Sequence, residues 1–205
     1  MTHSLKRYLA LTIMFLCLSP AAMAADKAGT VTAFEGQVEV TRESKTVPVS
    51  VNAAIHLGDV IETEENSRIQ IIFNDKTELT LADNMKMTID EYVFDPDAES
   101  NIKLSVLRGT FAFASGLIKN DNVKIDVPHG TIGIRGTKFL AGELEDTYGI
   151  FVEKGAVHVE NKAGEVIVGE EEGTKLSDAN TAPTPPKVWG EKNRTLLRDR
   201  LKFAE

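Results

Sequence analysis

Between Val123 and Val159 apolar side chains fall at every second position: Val123/Ile125/Val127, Ile132/Ile134, Ile150/Val152 and Val157/Val159. A period of two lays them on one face of an extended strand and turns the intervening residues to the other. Pro128, Gly130, Gly136, Gly142, Gly149 and Gly155 punctuate these runs, and such residues stop or reverse a strand. The stretch therefore reads as short strands joined by tight turns, with no room for a helix.

The same signal recurs upstream and downstream. Thr30–Phe34 and Gln37–Thr41 flank Glu35-Gly36, which predicts a tight hairpin. Thr46–Val51 alternates but contains Pro48, which has no amide donor and suits a sheet edge. Further strands are predicted over Arg68–Phe73, Glu78–Leu81, Met85/Met87/Ile89, Ile102/Leu104/Val106, Thr110–Ala114, Glu165–Val168 and Thr174–Leu176. No segment between residues 30 and 176 repeats its apolar positions at helical spacing. The fold class is all-β: a sandwich, a barrel or a solenoid. Glycine followed by alternating apolar residues recurs loosely at Gly36, Gly109, Gly130, Gly155 and Gly164, which favours short strands stacked as an irregular β-solenoid.

Both ends depart from this pattern. Residues 1–24 read as a secretory signal peptide: Lys6 and Arg7, an apolar run Leu9–Leu18, and a small-residue cleavage site at Ala22-Met23-Ala24. The apolar run is about half the length of a membrane span. The expected organisation is a signal peptide over 1–24, an all-β domain over 25–178, a proline-rich linker over 179–187 and an amphipathic α-helix over 188–205. On the helix Trp189, Leu196, Leu197, Leu201 and Ala204 share a stripe, and residues 187–205 carry six basic against three acidic groups. Such a helix either covers an open end of the β domain or serves as a basic arm that docks on a partner or a membrane surface, with Trp189 as the anchor in both cases.

Charge and cysteine usage narrow the function. Cleavage after Ala24 leaves 181 of the 205 residues and, with Lys6 and Arg7 gone, a net charge of −10 in place of −8. An acidic chain disfavours nucleic acid, since phosphate binding needs clustered lysine and arginine. Cys17 is the only cysteine and lies in the signal segment, so no disulfide, redox or thiolate-metal chemistry is expected of the mature protein. No membrane span is expected after cleavage, which places the protein in the periplasm.

Catalytic signals are weak. There is no nucleophile elbow, and Ser115 in Ala114-Ser115-Gly116 reads as a turn residue. His56, His129 and His158 are too scattered for a metal-ligand spacing. Carboxylates cluster at Glu62/Glu64/Glu65, Asp95/Asp97/Glu99, Glu143/Glu145/Asp146 and Glu170/Glu171/Glu172, all in turns, where solvated charge is the default. Asp95-Pro96-Asp97-Ala98-Glu99 lacks the glycine and remaining ligands of a calcium loop. The chain is read as a non-enzyme without cofactor or metal. Arg135 is expected to pair with Asp126 or Glu153 on a neighbouring strand, or else to recognise a ligand. Gly133 and Gly136 are expected to allow a close backbone approach or a positive φ, and Thr137 to satisfy a turn amide.

The run Val127-Pro128-His129-Gly130-Thr131-Ile132-Gly133-Ile134-Arg135-Gly136-Thr137-Lys138-Phe139 resembles the signature of the FecR domain. The following Phe151-Val152-Glu153-Lys154-Gly155-Ala156-Val157-His158-Val159 matches that family's Glu-x-Gly-x-Val-x-Val element. Leu57-Gly58-Asp59-Val60-Ile61-Glu62-Thr63 and Ile71–Leu79 resemble its opening strands, so the likeness covers roughly residues 57–176. Val127-Pro128 stands where the family has Thr-Pro. The motif residues carried by the resemblance are Pro128, Gly130, Arg135, Gly136, Thr137, Phe139 and Gly155. The resemblance implies a solenoid-like module that senses or regulates across the bacterial envelope, with a membrane receptor or signalling protein as partner. It leaves open whether a small molecule is involved. Residues 1–24 leave no room for the family's cytoplasmic anti-sigma segment, so a separate membrane partner is expected. Trp189, Leu196, Leu197, Leu201 and the Thr46–Val51 edge are the candidate docking surfaces. The alternative is a carbohydrate-binding or structural envelope solenoid.

Overall fold

The computed structural model describes residues 27–95, 97, 100–118 and 122–204, apart from the side chain of Arg135. The signal segment, Cys17 and residues 96, 98 and 99 of the Asp95–Glu99 run lie outside the described residues.

Alternating sequence becomes strand almost wherever it occurs. In chain order the strands are β1 (Lys27–Glu35), β2 (Val38–Arg42), β3 (Lys45–Val47), β4 (Ala54–His56), β5 (Val60–Thr63), β6 (Arg68–Phe73), β7 (Glu78–Leu81) and β8 (Lys86–Val93). They continue as β9 (Asn101–Arg108), β10 (Phe111–Ala114), β11 (Val123–Val127), β12 (Gly130–Leu144), β13 (Thr147–Asn161), β14 (Gly164–Val168), β15 (Glu172–Leu176) and β16 (Lys187–Val188), followed by helix α1 (Glu191–Leu201). Strands β6 and β9 bury every second residue through most of their length, as a strand with one face on a core must.

All the strands join one sheet, whose main path runs β3-β2-β5-β8-β9-β11-β12-β10-β7-β6-β1-β4. This order bends the sheet over on itself. β1 and β2 stand nine neighbour steps apart along the path, or about 43 Å if the sheet lay flat at ~4.8 Å per step. Yet only Gly36 and Gln37 separate Glu35 from Val38, a reach of about 10 Å. The β2 side and the β1 side must therefore face each other. Their inward side chains form one core that unites Ile61, Met87, Leu104 and Ile125 with Val31, Ile71, Leu81 and Phe113.

Two features depart from the sequence reading. Glu35-Gly36 is no hairpin: β1 pairs with β4 and β6, whereas β2 pairs with β3 and β5. The link crosses from one side of the folded sheet to the other, and Gly36 at φ +70 closes onto Ser67. Nor do the ladders support stacked coils. Parallel pairing would mark a stack, but among the described residues every ladder is antiparallel except β9 with β11. The all-β expectation stands, with one folded mixed sheet as its form.

The C-terminal segment also differs in detail. Residues 181–186 are no free spacer, because Thr184 donates its amide to the Lys175 carbonyl and Pro183 is buried. Lys187 and Val188 add a strand beside β15, so the helix begins only after Gly190. Among the described residues no helix is long and apolar enough to cross a membrane.

Candidate functional site

Strands β12 and β13 belong to both sides of the folded sheet, and the expected motif residues mark where they bend. In its first half β12 pairs with β11, and in its second half with β10. The β12–β13 register shifts between Arg135 and Phe139. Gly136 (φ +61) and Gly155 (φ +84) occupy the left-handed region there, which costs glycine little. A Cβ on Gly155 would stand 2.7 Å from the Gly136 carbonyl oxygen, so the two glycines press backbone on backbone.

The remaining motif residues lock this bend. Thr137, nearly buried, donates its hydroxyl to the Ala156 carbonyl at 2.6 Å, and its amide donates to Ser115 Oγ at 3.0 Å. Ser115 thus has the structural role expected of a turn residue. Phe139 fills the core between Phe111 and Phe113, with ring centroids 5.7 and 5.6 Å away. Pro128 and His129 (φ +80) form the two-residue link from β11 to β12, and Gly130 lets the Glu160 carbonyl approach to 2.6 Å of where a Cβ would lie. Gly133 departs from expectation: its φ is not positive and a Cβ there would meet ordinary contacts at 3.7 Å. The Arg135 side chain lies outside the description.

Two buried carboxylates fix the upstream part. Asp59, fully buried, accepts hydrogen bonds from Arg42 Nε at 2.7 Å, Arg42 Nη2 at 2.8 Å and the His56 amide at 2.8 Å. This pairing raises the Arg42 pKa above its ordinary value. Asp75, also buried, accepts from the Thr77 hydroxyl at 2.6 Å and from the Tyr92 hydroxyl at 3.3 Å. Burial, reinforced by the Asp75 charge, pushes the Tyr92 phenol well above its usual range.

The C-terminal helix lies on the outer face of β10 and β12 and builds a second apolar cluster there. Leu140, Leu144, Phe151, Trp189 and Leu197 are buried in it, with Leu201 half-buried beside them. Leu196, expected on the same stripe, is 40% exposed. Trp189 sits in a trough floored by two glycines: a Cβ on Gly173 would come within 2.2 Å of its indole and one on Gly149 within 2.8 Å. Charged groups ring this contact. Glu153 takes Arg198 at 2.8 Å and Lys138 at 3.2 Å, and Glu171 takes Arg194 at 2.6 Å. A cavity of about 360 Å³ opens between helix and sheet beside Lys138, Glu153, Arg198 and Leu201.

A second surface is strand β3, at one end of the main path, which among the described residues pairs only with β2. Glu43 and Ser44, both at positive φ, form a two-residue turn between Arg42 and Lys45. Such turns close on a hydrogen-bonded pair, so the next residue, Thr46, directs its amide and carbonyl away from β2. Lys45 and Thr46 are exposed and Pro48 follows the strand. Val49, further along the expected edge, packs against the core.

Members of three of the acidic clusters are taken up in structural bonds. Glu62 pairs with Lys86 and Arg108, which lowers its pKa; Glu143 accepts the Gly109 amide, and Glu170 and Glu172 accept those of Gly155 and Gly169. Of His56, His129 and His158, only His158 joins other potential ligands, Glu160 and Glu165, among the described residues. A His-x-Glu on one strand with a glutamate just past a tight turn was the available sequence signal for that grouping.

The family model described as FecR protein matches residues 59–158, a shorter span than the resemblance read from the sequence. No curated protein matches the chain. Two crystal structures of a candidate anti-sigma factor from Parabacteroides distasonis ATCC 8503, at 1.65 and 2.50 Å resolution, share the fold with TM-scores of 0.54 and 0.53. Identity is 13% and 14%, and each match covers 66% of this chain and 62% of that protein.

Proposed function

The chain carries a FecR domain over residues 59–158, and on that premise we propose that it is an exported regulatory protein that works by binding another protein. The family match, seated on a fold shared with a candidate anti-sigma factor, is the observation that carries this reading. The signal-peptide pattern of residues 1–24 supports export to the periplasm. There the protein relays an envelope signal to a membrane receptor or signalling protein.

The uptake of members of three acidic clusters in structural bonds supports binding over catalysis. Two surfaces suit a protein partner. Thr46 on β3 offers one outward amide and carbonyl for strand addition, while Pro48 ends the edge and limits indiscriminate pairing. The α1 face, with Leu196 and Val188 exposed beside the buried Trp189, is the second. Crosslinking the exported protein in intact cells and identifying what is recovered tests the reading. One membrane protein recovered in stoichiometric yield is the expected result. Recovery of the protein alone, or of glycan, would transfer the argument to a structural or carbohydrate-binding role.

A further inference from the structure

The hairpin of β13 and β14 gathers three potential ligand side chains. His158 and Glu160 are two apart on β13 and so share a face. Glu165 on β14 stands directly opposite Glu160. Each of the three offers one ligand atom, and all three atoms lie within 4.8 Å of one another. His158 Nε2 is 2.9 Å from Glu165 Oε2.

The electrostatics of this cluster are unbalanced. Like charges directly opposite on paired strands destabilise the pair. Glu165 has His158 as its hydrogen-bond partner, but among the described residues the Glu160 carboxylate has no hydrogen bond and no ion pair. Two carboxylates and one imidazole thus converge, and among the described residues no lysine or arginine is paired with either carboxylate.

We propose that this hairpin binds one divalent transition-metal ion of the zinc class through His158 Nε2, Glu160 and Glu165. Zinc–ligand bonds of ~2.0–2.2 Å in tetrahedral array set ligand atoms about 3.3 Å apart, which small side-chain rotations reach from the present spacing. The ion replaces the His158–Glu165 hydrogen bond with two metal bonds, the imidazole coordinating as its Nδ1–H tautomer. Its two positive charges cancel those of the opposed glutamates. An imidazole nitrogen in a three-ligand set favours zinc-like ions over calcium or magnesium, which take six or more oxygens. A groove of about 450 Å³, lined by His158, Glu160, Thr131, Lys124 and Ile167, leaves the fourth position open to water or an anionic ligand. The site stands on the hairpin geometry alone and does not depend on the regulatory reading.

The test is calorimetric titration of the untagged, chelator-treated full chain with Zn²⁺, and separately with Ca²⁺, with Co²⁺ absorption as a second readout. One Zn²⁺ per chain and visible bands of low-symmetry tetrahedral Co²⁺ are expected. His158→Ala, Glu160→Gln and Glu165→Gln should each weaken binding at least ~10-fold while the far-ultraviolet circular dichroism stays unchanged. All three positions are solvent-accessible, so their substitution leaves the core intact. Absence of Zn²⁺ binding, binding that His158→Ala leaves intact, or equal affinity for Ca²⁺ would each overturn the assignment.

Discussion

The indole of Trp189 lies nearly parallel to the ring of Phe151, with centroids 5.8 Å apart and planes inclined by 16°. This stack joins the C-terminal segment to the sheet, because Phe151 belongs to β13 and Trp189 stands two residues before α1. Arg194 and Arg198 of the helix stand over the same ring at 5.7 and 6.0 Å. One aromatic side chain of the sheet thus receives both the apolar anchor and the positive charge of the helix.

Gly173→Ala should displace Trp189 without altering it. The new methyl would stand 2.2 Å from the indole, so the ring must leave its trough. Trp189 is the only tryptophan in the chain, and its emission should shift to the red as it becomes solvated. Trp189→Ala should cost about 3 kcal/mol, read as a lower urea midpoint, with loss of amide-exchange protection concentrated in Glu191–Leu201.

Asp59→Ala should be among the most destabilising single changes outside the aromatic core. It strips Arg42 of two charge-assisted bonds and the His56 amide of its acceptor. The loss should be about 3 kcal/mol, the low end for breaking a buried pair, because the Arg42 side chain is 24% exposed. Denaturant titration measures it. Removing both partners at once in Arg42→Met/Asp59→Leu should cost less than the sum of the single changes.

The two bend glycines should respond differently to alanine. At Gly136 the left-handed φ is the only obstacle, and Gly136→Ala should cost about 1 kcal/mol. Gly155→Ala adds a 2.7 Å encounter with the Gly136 carbonyl and should cost clearly more. Paired thermal melts distinguish the two.

The strands were largely legible in the sequence, and their neighbours were not. Alternation in Val31, Val40, Ile71 or Ile125 reveals which face of a strand is buried, but every strand shares that code, so it does not select a partner. That is why Glu35-Gly36 read as a hairpin and proved to be a crossing link. Glycine at 136 and 155 announced a bend because positive φ is a local property. The trough beneath Trp189 was invisible, since Gly149 and Gly173 become adjacent only through the β13–β15 register. The same holds for Glu160 and Glu165, which the β13–β14 ladder sets face to face.

Alkaline pH should unfold the protein through its buried phenols. Burial raises the pKa of both Tyr92 and Tyr148 in the folded state, the first reinforced by Asp75 and the second by Glu143. Both are therefore neutral when folded and ionise on unfolding once the pH exceeds the ordinary tyrosine value. Their contribution is complete below pH ~10 and should fall by about 1.4 kcal/mol per pH unit for each group above it. Denaturant midpoints measured at successive pH values should drop steeply above that point. Tyr148→Phe should flatten the slope by one proton.

The central claim, that a FecR-domain protein captures a partner along β3, is tested most directly with Thr46→Pro. Proline removes the outward amide of Thr46 and leaves the hydrogen bonds to β2 in place. In-cell crosslinking is compared for the native protein and this variant, after circular dichroism and thermal melts establish that both are folded. The account predicts that a single membrane partner is recovered with the native chain and lost with Thr46→Pro. Undiminished recovery by the folded variant would contradict it.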